Sequence, residues 1–494
     1  MTDREERARA RETARAQVRD AGGDALLERL DHLDRLGREY RSKERSEQAP
    51  PRSPEEGDPV DFDVILAGGG LWSLLAPILA SRGLRVAVLD RARIGQSHRE
   101  WNASGTELSA LVRAGLADDA AIASWTTARY AQGVCRFAGG GSYAVANVLD
   151  HAIDAGALLA HGRALSERRG VRLFDGHEVV SHASGPRAVR IRARMRDGAT
   201  VEMTARMLVD ARGASSPYAT ADLVCPTVGG VVTGLEEGET PDRVDPHTGE
   251  ILATIDGIDE GRQHIWEAFP GRPGETTVYL FYYANRAGHG DRGERVSLAD
   301  LFARFFATLP AYKRGRATLV RPTFGFIPGW SRLCPPPRAP EPRVVLVGDA
   351  AARHSPLTCC GFGATLRSLE RACGFIAAAA EGGPAPPACV VDDAPAHAVT
   401  GGLARVLASR GFHGDELNRL LDAAFASLAS MPDDAYARLL RDEIPPREVV
   451  RFLRATAVRY PHVWTKILPV MGARWAGGLA VGVAASMLRG HAAG

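Results

Sequence analysis

The chain has 494 residues, 45% of them hydrophobic, which is enough apolar side chain to fill a large core and to form more than one structural unit. Its 61 basic and 59 acidic residues leave a formal charge of +2, so neither a nucleic acid nor another polyanion is an expected partner. Seven cysteines, an odd number without zinc-ligand spacing, read as reduced cytosolic thiols.

The first 46 residues alternate acid and base, with Leu26, Leu27, Leu30, Leu33 and Leu36 near helical spacing. They predict a solvated or loosely packed helix. The stretch SEQAPPRSPEEGDP (46–59) has linker composition, so 1–58 is read as a charged helical extension. This segment has no apolar core of the kind a secretory signal needs, and no run approaches the ~18–20 apolar residues of a membrane span. A cytoplasmic protein is expected, either free or in peripheral contact with the inner membrane face through the C-terminal helices.

At residue 61 the pattern changes to DFDVILAGGGLWS, a buried strand entering a glycine turn with Gly68, Gly70 and Ser73 at the G-x-G-x-x-G positions. A second strand, RVAVLD, ends in Asp90, 20 residues after Gly70. Glycines let the backbone approach a pyrophosphate, a helix start offers unpaired amides, and the acid accepts from a ribose hydroxyl. Pro77 falls inside the expected helix and predicts a lost hydrogen bond and a kink. Strands and helices alternate to about residue 225, and MLVDARG places Asp210 at another strand end.

Residues 226–335 are richer in strand patterns, such as TTVYLFYYA (276–284). Residues 336–385 return to a buried strand in VVLVGDAAARHSPLTCCGFG, and 386–494 read as helical. The expected fold is α/β: a Rossmann-type dinucleotide-binding domain in two parts, 59–225 and 336–385, with an inserted β-rich substrate domain and a C-terminal helical region.

An early glycine turn, an Asp–Gly strand end near residue 210 and a late Gly348-Asp349 pair resemble the flavoproteins of the p-hydroxybenzoate hydroxylase and geranylgeranyl reductase superfamily. The resemblance implies FAD, with Asp349 on the ribityl chain and Pro356, Gly361 and Gly363 along the flavin edge. Backbone amides at a helix start can stabilise negative charge on a reduced flavin. Four further stretches, REWNAS (99–104), WEAFP (266–270), RHSPLTCCGFGA (353–364) and LRSLER (366–371), resemble the lycopene cyclases of the green-sulfur-bacterial and cyanobacterial type. That resemblance implies ring closure of a linear polyene end group without net redox change. It also implies a hydrophobic isoprenoid or carotenoid substrate, a flavin kept reduced with NAD(P)H as an electron source, and cofactor contact by Arg99, Glu100, Trp101 and Asn102.

Such a reaction needs an acid that stays protonated at neutral pH and a dry apolar tunnel. Glu267 is the candidate acid because strand alternation puts it on one face with Ile265 and Phe269; the alternative is a glutamate paired with an arginine. His354 is read as a proton relay or a scaffold residue. Adjacent Cys359 and Cys360 suit packing or cofactor contact better than a disulfide. The apolar run from Trp475 to Leu488 is too short to span a bilayer and suits either a core helix or an interfacial one. Two other readings stay open: a flavin-dependent oxidoreductase (double-bond reductase or monooxygenase) and a catalytically silent flavoprotein of a carotenoid assembly. A halogenase is disfavoured, because none of Lys43, Lys313 and Lys466 lies in the expected flavin-binding portion.

Overall fold

The computed structural model describes residues 3–39, 49–97, 100–285, 296–329, 340–351, 357–358, 361–383, 395–432 and 434–470, with 472, 477 and 480. Arg99, His354, Pro356, Cys359, Cys360 and nearly all of the 475–488 run lie outside the described residues.

The nucleotide-type half is built on a parallel sheet. Its strands run in the order Arg172–Asp175, Val86–Asp90, Phe62–Ala67, Thr200–Asp210, and Val344–Leu346 pairs with the last residues of Thr200–Asp210. Val64, Ile65, Leu66 and Ala67 are fully buried, as expected for a strand covered on both faces. Strand Val344–Leu346 follows the inserted segment in the chain yet lies beside residues 208–210, so this half is discontinuous. The early part of Thr200–Asp210 instead pairs antiparallel with Val189–Arg194, which pairs with Glu178–Ser184.

The second half is a sheet ordered Ala284–Asn285, Leu223–Leu235, Glu275–Phe281, Ile265–Pro270, Thr248–Ala253, Gln132–Arg136, Ser142–Val145, with Gly315–Gly329 also on Leu223–Leu235. It therefore takes in residues 132–145, which the sequence reading placed in the first half. Short alternating strands do not declare which sheet they join. One face packs on helix Leu298–Tyr312, burying Trp266, Ala268, Phe302 and Phe305. The other packs on the C-terminal helices Pro395–Leu407, Glu416–Ala429, Ala435–Leu440 and Pro446–Arg459, burying Ile265 and Phe269.

The N-terminal extension is a mostly exposed helix that packs on the inserted half through a few residues, which is the loosely packed of the two expectations. Helix Asp3–Glu39 bends at Gly23 (φ 77°, ψ 175°) into two arms joined by the Arg15–Asp31 ion pair. Ala14, Val18 and Leu30 are buried in the cluster of helix Leu298–Tyr312. The Asp34 carboxylate accepts from the Leu298 amide at 2.6 Å and the Ser297 hydroxyl at 3.0 Å, capping that helix. Few apolar residues face inward, but each is placed where it counts.

Candidate active site

The predicted glycine turn forms at the carboxyl end of Phe62–Ala67. Gly68 has φ 123°, and a Cβ there would lie 2.4 Å from the Ala211 carbonyl oxygen, so the turn is packed against the end of the neighbouring strand. Gly70 differs: nothing lies within 4 Å of where its Cβ would be, which leaves the turn open on that side. A 3₁₀ turn, Leu71–Leu74, runs straight into helix Leu75–Ser81, with Ser73 buried inside it. Pro77 consequently falls in the first turn of the α-helix, where an amide has no intrahelical acceptor, and the expected loss is small.

Asp90 sits beneath the turn, its two carboxylate oxygens accepting from the amides of Gly69 and Ala92, both at 2.7 Å. Asp210 does not face the turn's open side. It is fully buried, and its carboxylate accepts from the Arg212 guanidinium at 2.7 Å and the Ser216 hydroxyl at 2.7 Å. Its place is in the scaffold that holds the strand end. Asp349 is half-buried in the 3₁₀ turn Gly348–Ala351, with an oxygen 3.8 Å from where a Gly213 Cβ would stand, and makes no hydrogen bond to another described residue. Three stretches distant in sequence (68–73, 210–213, 348–349) thus meet at the carboxyl ends of adjacent parallel strands, where this kind of sheet binds ligands. An open glycine turn, a positioned acid beneath it and a carboxylate with no hydrogen bond to another described residue fit the adenosine, pyrophosphate and ribityl parts of a flavin dinucleotide.

Helix Gly361–Ala380 begins beside this cradle, with the Phe362 ring 5.0 Å from that of Trp101. Gly363 is glycine for another reason than a flavin edge. A Cβ there would lie 2.2 Å from a Glu107 carboxylate oxygen. Glu107, buried, accepts from the Ser104 amide and hydroxyl at 2.9 Å and pairs with Arg367. This ties helix Gly361–Ala380 to helix Gly105–Arg113. The Ser104-x-x-Glu107 spacing is a capping-box signature, legible in the sequence, that the motif reading passed over. Glu100 likewise turns from the cradle to the inserted sheet, accepting from Thr277 at 2.9 Å and Arg321 at 3.2 Å.

Glu267 lies in the wall of an apolar cavity. The cavity is bounded by the inserted sheet (Ile251, Ile265, Tyr283), by the C-terminal helices (Leu403, Phe425, Phe452, Trp464) and by Leu357 and Thr358. Those last two residues stand just ahead of Gly361 and are held from both sides. The Tyr283 hydroxyl donates to the Leu357 carbonyl at 2.5 Å, and the Thr358 hydroxyl donates to Asp442 at 2.9 Å. Glu267 has no hydrogen-bond or ionic partner among the described residues. The surface it exposes opens into the cavity, and burial alone pushes its pKa from 4.5 up to about 8. The arginine partner offered as the alternative is absent among the described residues. Tyr283 and the C-terminal helices help to build this cavity; apolar periodicity alone cannot say what a helix face covers.

On the opposite face of the same sheet a second acid is fully satisfied. Glu250 accepts from Lys313 Nζ at 2.5 Å, from the Tyr312 hydroxyl at 2.5 Å and from Arg136 at 3.2 Å. The remaining Lys313 hydrogens go to the carbonyls of Pro241 at 3.0 Å and Arg243 at 2.7 Å. Lys313 is therefore buried, but its amine is consumed and lies off the cavity.

No family model and no curated protein matches the chain. Solved structures do. A geranylgeranyl bacteriochlorophyll reductase-like protein of Thermoplasma acidophilum is 17% identical with a TM-score of 0.53 over 83% of this chain and 99% of its own. A flavoprotein/dehydrogenase from Cytophaga hutchinsonii is 13% identical with a TM-score of 0.56 over 82% and 98%. The halogenase PltM, in complex with phloroglucinol and FAD, is 13% identical with a TM-score of 0.54 over 88% and 93%. At these identities the likeness is one of fold: the chain has the α/β architecture of these flavoproteins, with a discontinuous nucleotide-type half and an inserted sheet.

Proposed function

We propose that the chain binds FAD in the cradle of Gly68–Ser73, Asp90 and Asp349, and that it acts on an extended apolar alkene held in the Glu267 cavity, in the manner of a lycopene cyclase. The observation that carries this reading is a glutamic acid with no hydrogen-bond or ionic partner among the described residues, in a wall otherwise made of hydrocarbon, hydroxyl and indole side chains. That wall reaches the residues directly ahead of Gly361. Glu267 gives its proton to an alkene carbon of the end group. The neighbouring double bond attacks the tertiary cation so formed, a carbon–carbon bond closes the ring, and return of a proton from an adjacent carbon to the Glu267 carboxylate restores neutrality and regenerates the acid. Atoms and electrons balance without an external oxidant. The apolar lining keeps water from capturing the cation, and the rings of Phe425, Phe452 and Trp464 offer it π-faces. Bound reduced flavin supplies a further electron-rich surface.

Expression in a lycopene-accumulating host, with pigment analysis, tests the assignment. Cyclic carotenoids support it; unchanged lycopene with FAD bound rules it out. The second reading, reduction of an isoprenoid double bond, draws on the shared fold of the reductase-like protein and uses the same cavity. It predicts NAD(P)H consumption in step with a product two hydrogens heavier. A purified protein that binds FAD and does neither is the silent flavoprotein. Halogenation is not favoured, since Lys313 has no hydrogen to spare and stands on the far face of the sheet.

A further inference from the structure

Helix Pro446–Arg459 has two faces with different work. Its inner face, Phe452, Leu453 and Thr456, lines the cavity. On the opposite side Arg447, Arg451, Arg454 and Val458 recur at intervals of four, three and four, forming one stripe along the helix, and all four are exposed. None of the three arginines makes an ion pair with a described residue. Nearby acids are committed elsewhere: Glu448 to Arg438 at 2.7 Å, Glu443 to Arg441 at 2.9 Å, Glu416 to Lys466 at 3.0 Å. At the end of the stripe Val458 is 80% exposed, and Leu468, on the following helical segment, is 46% exposed. These are the two most exposed large apolar side chains among the described residues.

We propose that this face docks on an anionic lipid surface, with the arginines at the headgroups and Val458 entering the headgroup–acyl boundary. The inference goes beyond the reaction and does not depend on it. Arginines left without partners are complementary to lipid phosphates, and exposed aliphatic side chains beside them are what an interfacial helix inserts. Nucleic acid would use the arginines but leave the exposed Val458 unexplained, and the chain as a whole carries little net charge. A single helix, about 10 Å across, separates the docked stripe from the cavity.

The test is co-sedimentation of the full chain with vesicles of phosphatidylcholine alone and of equimolar phosphatidylcholine and phosphatidylglycerol. Binding to the anionic vesicles that weakens with salt is expected. The triple variant R447Q/R451Q/R454Q should lower partitioning on the order of a hundredfold. V458D should weaken binding separately, with the melting temperature of both variants close to that of the parent because every substituted side chain is exposed. Equal binding to neutral vesicles, an unaffected triple variant, or capture by duplex DNA in place of vesicles would each overturn the proposal.

Discussion

Glu267→Gln removes an ionisable charge from a site that disfavours it, and its effect on stability should depend on pH. The carboxyl is raised from 4.5 to about 8 in the folded chain by burial. Between those values the unfolded chain has released the proton while the folded chain still holds it, so the native state binds more protons. Stability is therefore full below about pH 4.5 and is lost as pH rises through the window to about 8, after which it levels off. With 1.36 kcal/mol for each tenfold change in proton affinity, the loss is about 5 kcal/mol above pH 8 and about 3 kcal/mol at pH 7. Water entering the cavity mouth reduces both, which makes them ceilings. Glutamine has nearly the same shape and no charge, so E267Q should escape the loss. Urea unfolding of both proteins at pH 5, 7 and 9 should show near-equal stability at pH 5 and an advantage to the variant that grows to several kcal/mol at pH 9. Parallel pH curves would refute the idea that Glu267 is buried without a partner. The same variant should bind FAD and form no rings, while the parent's activity should fall above about pH 8 as the acid loses its proton.

Other substitutions probe the scaffold. Gly363→Ala pushes a methyl against the Glu107 carboxylate and should cost about 1–3 kcal/mol in denaturant unfolding, with flavin content falling alongside. Lys313→Met leaves Glu250 short of its main counter-charge and should destabilise by about 3–5 kcal/mol. Flavin content per folded molecule should not change, because the cluster lies off the cradle. Asp34→Ala removes the cap on helix Leu298–Tyr312 and should cost about 1–2 kcal/mol, read as a lower urea midpoint.

What could be read from the chain was whatever is encoded locally. The glycine turn, the acid 20 residues on and the face shared by Ile265, Glu267 and Phe269 are each set by a few consecutive residues, and the structure places them as read. What escaped depends on partners far along the chain. Asp210 looked like a ligand-facing strand end until Arg212 and Ser216 were seen to occupy its oxygens. That a Cβ at Gly363 would strike the Glu107 carboxylate is set by a partner far along the chain and could not be read from the sequence. Residues 132–145 alternate as any half-buried strand does, and only pairing with Thr248–Ala253 assigns them to the inserted sheet. The charged N-terminal helix reads as solvated or loosely packed because its buried contacts, such as Asp34 on Leu298, are tertiary.

The two buried glutamates of the inserted sheet argue for function more strongly than either alone. Glu250 and Glu267 stand on adjacent strands, with Glu250 opposite Ala268, and so share one fold and one sheet. Where the fold needs a buried carboxylate for structure, it surrounds it, as it does Glu250, with Lys313, Tyr312 and Arg136. Glu267 is given no such partner among the described residues, although a threonine, leucine or glutamine there would avoid the penalty at neutral pH. A chain able to satisfy one buried acid so fully has left the other unsatisfied at the one wall that faces both an apolar cavity and the approach to Gly361. Stability is sacrificed there, and perturbed acids in apolar clefts are where proton chemistry is done.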